Sequence, residues 1–157
     1  MKKLSLALVA LLASLTISQA EIGETMKEVL GHGFHFYGVK PIQFHDCPAL
    51  QSVWVPEGTM TLIFSPKTNR EIAIVWDSRH LLSTNGDAAQ AWNSYGRWQL
   101  VQNNAQLASW HLKHPRFGDL WMVVTAKAHV IIIATPEGLE KVGLHAAKSP
   151  GKKASTR

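Results

Sequence analysis

The stretch TMTLIFSPKTNREIAIVW, residues 59–76, contains two apolar runs separated by five residues that favour turns. In the first run Met60, Leu62 and Phe64 alternate with Thr61, Ile63 and Ser65, which is the two-residue period of a β-strand. PKTNR, residues 66–70, reads as a hairpin-type connection, and EIAIVW, residues 71–76, as the return strand. Just upstream, ALQSVWV at 49–55 is a further strand candidate ending at the turn Pro56-Glu57-Gly58. Consecutive strands joined by short turns make an antiparallel meander, which argues against parallel βαβ architecture.

Working towards the amino end, FHFYGV and PIQF are extended segments, with Pro41 blocking a helix. EIGETMKEVL, residues 21–30, places Ile22, Met26, Val29 and Leu30 on one side of a short amphipathic helix, and Gly31 is a natural left-handed stop. Towards the carboxyl end the period changes after STNGD. Ala88, Ala91, Trp92, Tyr95, Trp98, Ala105 and Ala108 fall at helical spacings, with Asp87 as a cap. This predicts a long helix to about His111, weakened by Gly96 and by Gln102-Asn103-Asn104, and ended by Pro115 and Gly118. Two strands follow, LWMVVT and HVIIIA. Thr135-Pro136-Glu137 then supplies a cap, a first-turn proline and an acidic first turn for a last helix to about Ala147. The expected fold class is therefore α+β: one small domain at 21–147, an antiparallel sheet of about five or six strands packed by helices. No internal repeat is evident.

The ends of the chain differ from this body. MKKLSLALVALLASLTISQA has two lysines, an uncharged apolar run, and small residues at Ser18 and Ala20, the pattern of a secretory signal peptide cleaved between Ala20 and Glu21. The apolar run falls short of the roughly 20 residues a bilayer span needs, and no later segment is long enough. The expected location is a bacterial periplasm. Residues 148–157, KSPGKKASTR without its preceding context, read as a disordered basic tail. Sixteen Lys and Arg face eleven Asp and Glu overall, yet the body from Glu21 to Ala147 holds ten basic and eleven acidic side chains. The basic excess belongs to the two ends, so nucleic-acid binding is not expected. The one cysteine cannot form an internal disulfide, and the six Trp and five Phe must hold the fold through a packed core.

GHGFHFYGVKPIQFHDCP, residues 31–48, concentrates His32, His35, His45 and Cys47. Imidazole and thiolate are ligands for zinc, copper or haem iron, but the spacing matches no recognised metal motif. Phe34 and Phe36 would face a core while His35 faces away, the pattern of a half-exposed strand. Cys47 lies beside Asp46, whose carboxylate opposes thiolate formation, so a buried structural cysteine is the default; an intermolecular disulfide is the other option. His111 and His114, three apart, could share a helix face. Asp77-Ser78-Arg79-His80 has catalytic vocabulary but reads as a polar turn. No G-x-S-x-G elbow, phosphate-cradling glycine loop or zinc-protease motif is present, so an enzyme is not expected. Trp92, Tyr95 and Trp98 form an aromatic series that either packs inside or presents an interaction surface.

The order helix, glycine, β segment, TLIFSPKTNREIAIVWD, then AWNSYGRWQLVQNNAQLASWHL, resembles the front half of periplasmic thiol:disulfide isomerases of the DsbC/DsbG type. The resemblance covers at most residues 21–114 and implies a cystatin-like dimerisation module followed by a linker helix. Those isomerases carry a C-x-x-C pair in a thioredoxin-like domain, which this chain lacks, so no catalytic residue carries over. The resemblance implies a dimerisation or client-binding module without redox activity.

Taken together, the expected function is a non-enzymatic periplasmic interaction protein, homodimeric or meeting another protein through strand edges and an aromatic helix face, as an accessory part of an envelope, conjugation or secretion assembly. The alternative is a periplasmic protein that binds a transition metal or haem through His32, His35, His45 and Cys47. A hydrolase centred on Asp77 and His80 ranks last.

Overall fold

The computed structural model describes residues 21–31, 39–54, 58–78, 87–125 and 129–144. The expected signal peptide, most of FHFYGV with His32 and His35, Arg79 and His80, most of the STNGD turn, and the basic tail lie outside the described residues. The elements run α1 (Met26–Gly31), β1 (Lys40–Phe44), β2 (Cys47–Trp54), β3 (Gly58–Phe64) and β4 (Glu71–Ser78). They continue with α2 (Asp87–Ala91), a 3-10 turn at Asn93–Tyr95, β5 (Gln99–Asn103), β6 (Leu107–His114), β7 (Gly118–Thr125), β8 (Val130–Ala134) and α3 (Pro136–Lys141).

The eight strands among the described residues join one antiparallel sheet in the order β1-β2-β3-β4-β8-β7-β6-β5. It consists of two four-stranded meanders that meet through their last strands, with Val75 of β4 opposite Ile132 of β8. A short helix precedes each meander.

The expectation of an α+β domain is corrected by this architecture, which is mostly β, with described helices of only five or six residues. The difference arises at 87–111. The helical spacing of Ala88 and Trp92 produces only α2, whose end runs into the 3-10 turn and then Gly96 at φ 133°. Beyond it the chain is extended. Asn104, expected to weaken a helix, makes a hairpin turn: its Oδ1 accepts from the backbone N–H of Gln106 and of Leu107, each at 2.9 Å. A side chain that satisfies two local N–H groups favours a turn over a helix. Pro115 and Gly118 (φ 73°) accordingly lie at the turn between β6 and β7, not at a helix end.

Both faces of the sheet are covered, which is why runs such as VIIIA lack polar alternation. On one face Leu50, Leu62, Phe64 and Ile74 pack with Trp110, Leu120, Met122 and Ile133 beneath Ile22, Val29, Trp92 and Tyr95. On the other, Cys47, Ala49, Ile63, Trp121, Val123 and Ile132 pack with Leu139 of α3.

Capping sets the helix starts. Thr25 and Glu28 form a reciprocal box at α1, with the Thr25 N–H donating to Glu28 Oε2 at 2.7 Å and the Glu28 N–H to Thr25 Oγ1 at 3.3 Å. At α3, Thr135 Oγ1 accepts from the Gly138 N–H at 3.1 Å and Pro136 begins the helix, as its sequence predicts.

Candidate functional site

Regular alternation along EIAIVW would set Glu71 on the face of Ala73 and Val75. The register contradicts this. Ile63 pairs with Ala73 but Phe64 pairs with Glu71, so Ile72 is an extra residue in β4, a β-bulge. The bulge leaves Ile72 and Ala73 in the same core cluster, and Glu71 opposite Phe64 of the other cluster. An acidic side chain is thereby turned inward, and Glu71 is only 1 % exposed.

Three segments converge on this bulge. The amino-terminal strap is tied to Glu71 on both sides: the Gly23 N–H donates to the Glu71 carbonyl at 2.8 Å, and the Glu71 N–H to the Glu24 carbonyl at 2.7 Å. Arg70 reinforces the strap, its Nη1 donating to the Gly23 carbonyl at 2.7 Å. The start of α3 docks on Ile72, whose carbonyl accepts from the Thr135 N–H at 2.9 Å. Ser65 Oγ donates to Glu137 Oε1 at 2.7 Å, joining the β3 end to α3. From the β6–β7 turn, Phe117 packs close to Gly23, where an added Cβ would lie 2.9 Å from its ring. Phe117 stacks on His114 with centroids 4.4 Å apart, while Arg116 has its guanidinium 5.0 Å above the Phe117 ring and Nη1 3.5 Å from Glu21 Oε2.

Between these segments lies a cavity of about 440 Å³, lined by Ile22, Gly23, Thr68, Arg70, Glu71, Ile72, Arg116, Phe117, Thr135, Pro136 and Glu137. That volume is within the usual range for ligand sites. Both Glu71 carboxyl oxygens are enclosed without a hydrogen-bond partner among the described residues. Burial, and secondarily the Glu24 carboxylate, pushes the Glu71 pKa well above the ordinary glutamate range. Tyr95 lies close by, its hydroxyl accepting from the Ile22 N–H at 3.2 Å. Its pKa is raised, first by burial and then by Glu71.

The residues singled out from sequence do not assemble here. His45 is exposed, in a left-handed conformation (φ 53°) at the β1–β2 turn, with its ring edge-on to Phe44. Cys47, two residues on, is fully buried. Burial, then the hydrogen bond to Asp46, raises its pKa, while Lys141 pairs with Asp46 and lowers that carboxyl. Among the described residues no three His, Cys, Asp or Glu side chains gather as a metal site. Trp92 (3 % exposed) and Tyr95 (8 %) are core residues, and half-buried Trp98 donates from Nε1 to the Trp92 carbonyl at 2.9 Å. Trp92 and Tyr95 thus pack within the chain, one of the two placements that the aromatic series allows. His111 and His114 fall on opposite faces of β6. His111 lies against Trp121 with Nε2 2.9 Å from Asp119 Oδ1. Asp77 is exposed.

The two terminal strands of the sheet both carry features that oppose pairing with another strand. β1 opens with exposed Lys40 and Pro41; in β5 Val101 is bulged between Leu100 and Gln102. Glu71 and its cavity therefore form the candidate site. The residues of the site were not singled out from sequence, because no local pattern marks a one-residue bulge. No family model matches the chain, and no curated protein or solved structure matches it either.

Proposed function

We propose that this chain is a non-enzymatic binding protein of the bacterial cell envelope that recognises a protein partner through the Glu71 cavity. The envelope location is supported by the signal-peptide pattern of residues 1–20. The recognition role is carried by one observation: Glu71, whose enclosed carboxyl group has no hydrogen-bond partner among the described residues, is one of the residues lining a cavity that a small group can enter. Leaving such a group unpaired costs stability. A chain that keeps it has a use for it on binding. The blocked strand edges direct partner contact to this end of the sheet.

In-cell photocrosslinking tests the proposal, with a photoreactive residue replacing Thr68 or Pro136 at the cavity and, as control, exposed Gln102 of β5. A discrete adduct from the two cavity positions and none from Gln102 is expected. An adduct of twice the chain mass identifies a homodimer. Absence of an adduct at the cavity, or the same adduct from Gln102, overturns the assignment.

A further inference from the structure

We infer that the Glu71 cavity takes a cationic nitrogen group, a guanidinium or an alkylammonium, which pairs with the Glu71 carboxylate. The inference rests on the cavity being a recognition site and adds the chemistry of what enters it.

The charges around Glu71 come from every segment packed on it. The strap brings Glu21 and Glu24, the β6–β7 turn brings Arg116, and the α3 start brings Glu137. Arg70 adjoins it in the chain, the buried Tyr95 hydroxyl lies close by, and the His114 ring packs on Tyr95 and Phe117. The two arginines are engaged elsewhere: Arg116 with Glu21 and the Phe117 ring, Arg70 with the Gly23 carbonyl. Neither counters the field at Glu71, where Glu24 and burial both oppose ionisation. Carboxylates are in excess, and what the site lacks is a positive charge with N–H donors.

A guanidinium offers two parallel N–H groups to two carboxylate oxygens, the strongest of the charge-assisted arrangements. An ammonium offers the charge with less directional fit. The apolar walls formed by Ile22, Phe117 and Pro136 suit the aliphatic stem that carries either group. An anion would meet Glu137, already held by Ser65 Oγ, and the Glu24 charge. Because both carboxyl oxygens are enclosed, pairing requires the Glu71 side chain to turn towards the cavity that the residue lines. The proton balance follows: the neutral acid releases its proton to solvent as the cation binds, leaving a carboxylate–cation pair. Binding therefore strengthens as pH rises towards the Glu71 pKa.

Calorimetric titration of the purified protein tests this with three probes and an anionic control, N-acetyl-alanine. Methylguanidinium stands for a free solute, an Ala-Arg-Ala peptide blocked at both ends for a partner side chain, and the same peptide with citrulline for its uncharged isostere. The cationic probes are expected to bind saturably, with a heat that varies with the buffer's ionisation enthalpy, and the citrulline peptide not to bind. Tighter binding of the peptide than of methylguanidinium assigns the cation to a partner; equal binding assigns it to a solute. Glu71→Gln is expected to weaken binding by about tenfold or more, the loss of a charge-assisted hydrogen bond. Equal binding of the citrulline and arginine peptides overturns the inference, as does unchanged affinity in Glu71→Gln. Should that variant fail to fold, equal binding of the arginine and citrulline peptides by the unaltered protein overturns it on its own. Binding of N-acetyl-alanine through Arg70 and Arg116 would refute the cationic class yet keep the cavity as a site. Loss of the Thr68 crosslink would remove the site itself.

Discussion

Phe64 and Glu71 sit opposite each other across the β3–β4 pair, because Ile72 is bulged between Glu71 and Ala73. The pairing sets an acidic residue opposite an aromatic residue that is itself fully buried. The folded chain therefore keeps the Glu71 proton to higher pH than the unfolded chain, whose glutamate titrates near 4.5. The contribution of Glu71 to stability is fully present below that value and is lost as pH rises from it towards the raised folded pKa, because the unfolded state sheds the proton first. Glu71→Gln removes this dependence. Urea unfolding from pH 4 to 9 is expected to show the variant gaining on the parent as pH rises, with the two closest at the acidic end. Parallel curves across the range would contradict an inward, protonated Glu71.

A second prediction concerns the contact of α3 with the bulge. A Cβ added to Gly138 would lie 2.0 Å from the Ile72 carbonyl oxygen, and relief requires the backbone itself to move. Gly138→Ala is expected to cost about 1–3 kcal/mol or more by overpacking. Thr135→Ala, which loses the cap to the Gly138 N–H, costs about 1 kcal/mol. Gly31→Ala, with no described residue within 4 Å of its added Cβ, serves as the neutral control. Chemical denaturation orders the three.

The parts of this fold that were legible have short-range causes. Strand alternation at 59–65, the PKTNR turn and the Thr135 cap are each specified within a few residues, and each is present. The segment 87–111 misleads because aromatic residues spaced for a helix also serve a turn that drops Trp92 and Tyr95 into the core. Asn104 carries the missed cue, since an asparagine followed by two residues that need an N–H acceptor closes a hairpin. Glu71 carries none: its inward direction depends on the extra residue Ile72, which only the register with β3 reveals. The histidine-rich stretch attracts notice by composition, yet His45 sits at a turn and Cys47 points inward.

A third prediction separates a core role for the aromatic series from a surface role. Trp92 is 3 % exposed and Tyr95 accepts from the Ile22 N–H. Trp92→Ala is expected to cost about 3–5 kcal/mol. Tyr95→Phe costs about 1–3 kcal/mol, because it strands a buried N–H. Near-native stability in both variants would return these rings to a surface role.

The last prediction concerns the lone thiol. Cys47 is fully enclosed, and burial followed by its hydrogen bond to Asp46 raises its pKa above the ordinary 9.0. Only the thiolate reacts with disulfide reagents, so the folded protein is expected to label slowly even at pH 9, where an exposed thiol is half ionised. Unfolding in urea should restore the ordinary rate. Asp46→Asn removes the smaller of the two leading causes and leaves burial in place, so labelling of that variant should quicken only modestly. A nonreducing gel of the native protein should show no disulfide-linked dimer, since a second chain has no route to the sulfur. Rapid native labelling, or a reducible dimer, would place Cys47 at the surface and reopen an intermolecular disulfide.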